Sequence, residues 1–278
     1  MATTYPDDRS LASSTAADLV PPLTAVAAAR MLVLRNYLVY RKAWKLFITG
    51  FLEPFFYLLS IGIGVGALVG KVPGPNGVPV EYDAFVAPGL MAAAAMNGAV
   101  LDTTFNFFIK LKYSHTYDAM LATPLGVHDV AVGEVLSALL RGAFYSTAFL
   151  VAMIAFGLVT SWWAILAVPA ALLIAFAFAG AGLGLTTFMR SWVDFDYVNL
   201  ALVPMFLFSA TFFPISRYPD ALEVVVKLTP LYQGVALLRG LTLGAISWTM
   251  LLNALYLAVM GMIGVRVASR RLARKLQP

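Results

Sequence analysis

The sequence predicts an all-α integral membrane protein with six transmembrane helices, an N-terminal interfacial helix and two short re-entrant helices before the last span. Three observations carry this expectation. Hydrophobic residues make up 61% of the 278 positions and charged residues 12%, about half the charged share of an ordinary soluble domain. The apolar residues fall in blocks of about 20, and at about 1.5 Å per residue such a block crosses a hydrocarbon core of about 30 Å. The basic residues crowd the short segments beside these blocks, so the net charge of +5 reads as topology and headgroup contact, not as a nucleic-acid footprint. Cysteine is absent, which excludes disulfides, thiolate nucleophiles and Cys-ligated metals.

In chain order, residues 1–23 are expected to be a flexible cytoplasmic tail, small and polar, with Asp7, Asp8 and Arg9 followed by Pro21 and Pro22. They lack the basic start, apolar core and cleavage site of a signal peptide. Residues 24–45 read as an amphipathic interfacial helix, because Arg30, Arg35, Arg41, Lys42 and Lys45 share one side at about 100° per residue, although Met31, Leu34 and Leu38 intrude. The six-helix domain is expected over 46–266, with spans near 46–69, 84–108, 132–159, 163–188, 197–213 and 247–266. A basic cytoplasmic tail, 267–278, follows.

Six spans put both termini on one side. With the loops near 109–131 and 189–196, that side holds Arg9, Arg30, Arg35, Arg41, Lys42, Lys45, Lys110, Lys112, Arg190, Arg266, Arg270, Arg271, Arg274 and Lys275, and the other only Lys71, Arg217, Lys227 and Arg239. This asymmetry predicts a multi-pass protein of the plasma (bacterial cytoplasmic) membrane with both termini cytoplasmic. Segment 214–246 is too long and apolar for a plain connector. Residues 219–228 and 231–243 each read as a short helix, broken at Thr229-Pro230, where proline removes a backbone donor, and the pair is expected to dip back into the membrane.

Neither glycine cluster fits a nucleotide site. Gly62, Gly64, Gly66 and Gly70 lie inside the first span, and Lys71 has neither phosphate-loop spacing nor a following Ser or Thr. Helix packing is the expected role of Gly62, Gly66 and Gly70, four residues apart, and of Gly180 and Gly184. His115 and His128 have no ligand partner at helical spacing, so no metal site is expected, and no serine has a paired base.

Ionisable residues inside spans are the sharper signal, since a charge at the bilayer centre costs about 2.5–3.5 kcal/mol or more. They are Glu53, Asp102, Glu134 and Arg141. Glu53 precedes Pro54 on a span bent by that proline. Glu134 and Arg141, seven residues apart on one face, can interact directly or through water. Asp102, beside Thr103 and Thr104, can bond neighbouring backbone. Whether these four are structural or line a path is left open by the sequence. Phe105, Phe107, Phe108, Phe206, Phe208, Phe212 and Phe213 offer aromatic faces to lipid, to other helices or to a substrate.

Between the second and third spans, Lys112 to Pro124 is polar yet keeps Tyr117, Met120 and Leu121 at three- and four-residue spacing, a short helix with one apolar stripe. A stripe at the cytoplasmic side needs a partner. Tyr117 and Met120 are the expected anchors, with Asp118 at the rim and Pro124 ending the helix.

The stretch from Glu53-Pro54 through Tyr57-Leu58 to Gly62, Gly64, Gly66 and Gly70 resembles the first span of type-2 ABC exporter permeases, the ABC-2 family, in its NodJ-like branch. The loop from Lys112-Tyr113 through Tyr117-Asp118-Ala119-Met120-Leu121-Ala122-Thr123-Pro124-Leu125 does the same. So does the ordered series Phe208-Ser209-Ala210-Thr211-Phe212-Phe213-Pro214, Tyr218-Pro219, Thr229-Pro230-Leu231-Tyr232-Gln233 and Leu238-Arg239-Gly240. Gln233 departs from the histidine or serine common in the family.

The resemblance covers nearly all of residues 30 to 275. It implies two permease subunits, as homo- or heterodimer, and two separate ABC ATPase subunits that carry ATP and Mg, with no cofactor and no enzyme activity on this chain. It implies that the 109–131 loop docks on the ATPase, making Lys112, Tyr117, Asp118, Met120, Leu121 and Pro124 coupling residues. It implies an outer gate around Pro214, Pro230, Gln233 and Arg239. Glu53, Tyr57, Asp102, Phe105, Phe208 and Phe212 are the candidates for the substrate path. Family members export lipid-linked saccharides, glycolipids or drug-like molecules, and the NodJ-like branch is associated with lipo-oligosaccharide export. A proton-coupled secondary transporter, using the buried carboxylates, and a non-transporting membrane scaffold are the competing readings.

Overall fold

The structure, a computed structural model, describes residues 34, 52, 55–75, 77–114, 116–121 and 126–276. The expected tail 1–23, nearly all of the interfacial helix, Glu53, Pro54, His115 and Pro124 lie outside the described residues.

Helix α1 occupies residues 55–69, with a π-helical stretch at Ile61–Val65. It ends at Gly70, whose φ of +66° suits glycine alone. A hairpin the sequence did not announce follows. Strand β1 (Lys71–Pro73) pairs antiparallel with β2 (Pro79–Glu81), Val72 opposite Val80, and the Gly70 carbonyl accepts from Tyr82 N.

Four helices among the described residues are long and apolar enough to cross a membrane: α2 (Tyr82–Lys112), α4 (Val127–Ala155), α5 (Trp162–Thr186) and α9, apolar over Thr249–Arg274. Between α2 and α4 lies α3 (Thr116–Leu121). Helix α6 (Asp194–Leu207) has 14 residues and reaches only about 21 Å. Helices α7 (Asp220–Leu228) and α8 (Pro230–Leu243) meet at a bend of 85° and count as a fifth span if taken together. The break falls where the sequence puts it: the Thr229 hydroxyl accepts from Tyr232 N, Pro230 opens α8, and a first-turn proline forfeits no helical bond. Helix α9 runs on to Leu276, so residues 267–276, read from the sequence as part of a basic tail, continue the last helix.

Helix α5 is the hub. Its apolar surface runs all the way round, as a helix enclosed by others requires, and it touches α2, α4, α8 and α9. Its seam with α9 is the tightest: a Cβ on Gly180 would stand 2.4 Å from the Gly261 carbonyl oxygen, and one on Gly264 would stand 2.2 Å from the Gly180 carbonyl carbon. Only paired glycines let two backbones approach this closely.

Candidate functional site

Helix α2 changes character at Asp102–Asn106, where it becomes π-helical. A π-turn disturbs the regular backbone ladder, and the freed groups are satisfied locally. The Thr103 and Thr104 hydroxyls donate to the carbonyls of Ala99 and Val100 at 2.8 and 2.6 Å. From α5, the Thr186 hydroxyl donates to Thr103 O at 2.9 Å, and Gly182 leaves the room: a Cβ there would meet Thr103 Oγ1 at 2.4 Å.

The same turn aims Asp102 at α4. Its carboxylate pairs with Arg141 and accepts from Asn106 Nδ2 at 2.8 Å, while Arg141 also reaches Gly98 O at 3.4 Å. One helical region further, Lys110 Nζ grips both oxygens of Glu134 at 2.7 and 3.0 Å. The expected contact between Glu134 and Arg141 is therefore replaced by two pairs that cross from α2 to α4. Sequence spacing showed that the two residues share a face of α4, but α2 lies against that face and supplies a nearer opposite charge to each. Asp102 likewise does more than bond its neighbours' backbone.

Phe105 lines a cavity of about 490 Å³ between α2 and α6. Asn97, Thr104 and Phe105 form one wall; Asn199, Leu202 and Phe206 form the other. Trp192 and Phe195 close its end, with ring centroids 5.4 and 5.8 Å from Phe105. Trp192 also stacks on Tyr113 at 5.5 Å and donates from Nε1 to its hydroxyl at 2.6 Å, clamping the end of α2 to the start of α6. Such a groove offers amides to hydroxyl groups and aromatic faces to apolar or sugar surfaces.

Of the expected path residues, Phe105 lines this groove, whereas Asp102 is not part of its lining and pairs with Arg141 of α4. Phe212 stands behind it, its ring 5.2 Å from that of Phe206. Phe208 and Tyr57 are largely exposed and do not line it. Asn97, Asn199 and Trp192 were not singled out from the sequence; an asparagine inside an apolar span was the available signal.

Helix α3 seats on the lower end of α2. Tyr117 is buried, with its ring 5.0 Å from that of Phe107, and Met120 is buried too. Tyr117 and Met120 of the apolar stripe thus find their cover within the chain, and these two side chains are not exposed anchors for a partner. Periodicity reveals that a stripe exists, not which neighbour covers it. Lys112 and Tyr113, at the junction of α2 and α3, are exposed; Asp118 and Leu121 belong to α3 itself.

At the opposite end, residues distant in sequence converge on Arg239. Its guanidinium is buried over the Phe85 ring at 3.7 Å. It donates to the carbonyls of Phe85 at 3.1 Å, Ala210 at 2.9 Å and Thr211 at 3.3 Å. Ala210 is held at φ +56°, a conformation costing roughly 1–2 kcal/mol for a residue with a Cβ. Gly89 of α2 makes room, since a Cβ there would stand 2.8 Å from Thr211 Cγ2. The run Phe208 to Pro214 and the distant Leu238-Arg239-Gly240 are one knot in space. Arg239 is a latch inside it, not a residue at a free mouth. Pro214 leads into the turn Ile215–Arg217, and the Gln233 side chain donates to Lys227 O, capping α7.

The close helix packing expected of Gly62, Gly66 and Gly70 is not met at Gly66 or Gly70 among the described residues. Among the described residues, a Cβ at Gly64 or Gly70 would meet nothing within 4 Å, and one at Gly66 only its own helix. Gly62 alone approaches another element, with Asp83 Cβ at 3.4 Å.

A bundle of long apolar helices, with charges inside the spans paired across helices and a groove along one side, is the architecture of a polytopic membrane protein. The comparisons define it further. Residues 27–243 match the family described as ABC-2 type transporter. Nodulation protein J of Rhizobium leguminosarum bv. viciae is 32% identical over 247 residues, 86% of this chain and 93% of the relative. The Nodulation protein J of Rhizobium meliloti (strain 1021) is 31% identical over 214 residues, 76% of this chain and 79% of the relative. That of Azorhizobium caulinodans is 26% identical over 244 residues, 86% and 94% respectively. This chain belongs to the ABC-2 transporter family, as a membrane subunit of NodJ-like type.

Proposed function

We propose that this chain is the permease subunit of an ATP-driven exporter that carries an amphipathic molecule, such as a lipid-linked saccharide, a glycolipid or a drug-like compound, out of the cytoplasmic side. A lipo-oligosaccharide is the favoured substrate class. In this reading the chain spans the plasma membrane six times, with α6 extended by residues 208–213, α7 and α8 re-entrant, and both termini cytoplasmic. Residues 1–23 are a tail, 24–45 an interfacial helix, and 46–266 the transmembrane domain. Two such subunits, alike or different, assemble with two ABC ATPases that bind ATP and Mg.

The observation that carries the mechanism is that one helix, α2, bears the α3 seat at Phe107 and the groove wall at Phe105. Closure of the ATPases presses on α3. Tyr117 passes the displacement to Phe107 over the shared ring contact, and α2 shifts against α6 as packed helices do, in small discrete slides. The groove between them then changes its opening. Asn97 and Asn199 take polar groups of the substrate, and Phe105, Trp192 and Phe206 take its apolar surface.

The test uses the full chain co-purified with its ATPase and reconstituted in liposomes. A lipid-linked saccharide should stimulate ATP hydrolysis, and Asn97→Ala with Asn199→Ala should weaken that stimulation about tenfold, the effect of about 1.4 kcal/mol of lost binding, without lowering basal hydrolysis. Unchanged stimulation refutes the groove as the path. Saturable ATP hydrolysis by the purified chain alone contradicts the division of labour.

A further inference from the structure

A second, almost wholly apolar groove of about 740 Å³, sharing no lining residue with the α2–α6 groove, lies between the end of α5 and α9. Its floor is recessed by glycine: Gly184 and Gly264 face each other there, and a Cβ on Gly184 would stand 3.3 Å from Gly264 O. The lining on α9 runs from Leu252 to Val267, about 22 Å at the helical rise. That exceeds the roughly 15 Å of one hydrocarbon leaflet.

The groove ends in positive charge. Phe188 lines it and carries the Arg271 guanidinium over its ring, Cζ 3.6 Å from the centroid. Arg271 and Arg274 follow Val267 by four and seven residues, which places them within about 40° of it around the helix axis. Among the described residues no carboxylate forms an ion pair with either arginine. A guanidinium has five N–H donors that contact with a ring does not use up, and its planar fork suits phosphate oxygens.

We propose that this groove is a binding site for an anionic phospholipid, one acyl chain lying along α9 and the phosphate held by Arg271 with Arg274. The charge at one end and the absence of polar lining elsewhere select this occupant. A second protein chain would leave the arginines without a counter-charge unless it brought one. The site is separate from the proposed export path, so it concerns anchoring and regulation by the surrounding lipid.

The test reconstitutes the full-length chain in nanodiscs of equimolar phosphatidylglycerol and phosphatidylcholine, then releases it and counts retained lipids by native mass spectrometry. Wild type should keep phosphatidylglycerol over phosphatidylcholine. Arg271→Gln should lower retained phosphatidylglycerol about fivefold, and Arg271→Gln with Arg274→Gln about 25-fold, as expected for about 1 kcal/mol per basic residue. Arg271→Lys should lie between, and Ile263→Trp, which fills the groove, should remove the bound lipid whatever its headgroup. Helical content by circular dichroism verifies each fold, and Arg274→Gln and Ile263→Trp still read the site if Arg271→Gln fails to fold. Equal retention of the two lipids, or no change in Arg271→Gln, overturns the site. Because the chain has no cysteine, Ile263→Cys supplies a unique thiol; efficient disulfide formation between two copies would show that protein covers the groove and also overturn it.

Discussion

Along the α5–α9 seam two helices touch backbone to backbone through Gly180, Gly261 and Gly264, with no polar group needed. On the α4 and α6 sides of α2 the chain is built differently: two ion pairs hold it to α4, and a cavity of about 490 Å³ lies between it and α6. A close-packed seam has one good depth and tolerates no slide. Ion pairs and an open groove permit small rearrangements, because long side chains follow a moving partner. We therefore assign α5 and α9 to the fixed frame and α2, α3 and α6 to the part that moves.

The largest expected effect comes from breaking the frame. Gly264→Leu forces a side chain into the Gly180 backbone and should cost more than about 4 kcal/mol, the exceptional end of single substitutions; the check is loss of the monodisperse peak in detergent. Next come the buried pairs. Arg141→Met alone leaves Asp102 uncompensated and should destabilise by about 3–5 kcal/mol, whereas Asp102→Leu with Arg141→Met should come close to wild type, measured by thermal unfolding. If the double variant folds but no longer exports, the pair also serves the path. If it folds and exports, the pair is structural.

At the Arg239 knot, Arg239→Met should cost about 3 kcal/mol, since three buried carbonyls lose a charged donor and each unsatisfied group costs about 1–3 kcal/mol. Reduced yield of folded protein is the readout, with Arg239→Lys recovering little because a single ammonium cannot reproduce the fork. The smallest effect belongs to α1: Gly66→Ala should be neutral or gain about 0.5–1 kcal/mol from helix propensity. Clear destabilisation in the assembled transporter would mean that Gly66 meets a partner subunit.

How much of this was legible follows from what kind of signal each feature leaves. Apolar blocks gave α2, α4, α5 and α9, and Thr229-Pro230 gave the α7–α8 bend, because both are local. The hairpin Lys71–Glu81 was missed, since three-residue strands leave no alternation to read. Gly180 and Gly184 were recognised as packing glycines, but their partners Gly261 and Gly264 lie three apart and lack the four-residue repeat. The Glu134 and Arg141 pairing failed for a nonlocal reason: only the placement of α2 decides which charge is nearest. The same applies to Tyr117 and Met120, whose stripe was visible while the surface covering it was not. Arg239 stood in a recognisable series, yet its carbonyl partners lie 28, 29 and 154 residues away.

The division into a fixed frame and a moving α2 is open to one direct measurement. With no native cysteine to interfere, spin labels on Leu101→Cys and Val203→Cys report across the α2–α6 groove, and labels on Leu185→Cys and Leu255→Cys report across the α5–α9 seam. Both pairs are exposed. Pulsed electron resonance on the complex with its ATPase, without nucleotide and with ATP trapped, should shift the α2–α6 distance distribution and leave the α5–α9 distribution in place. A static α2–α6 distance, or an equal shift across both pairs, would contradict the account.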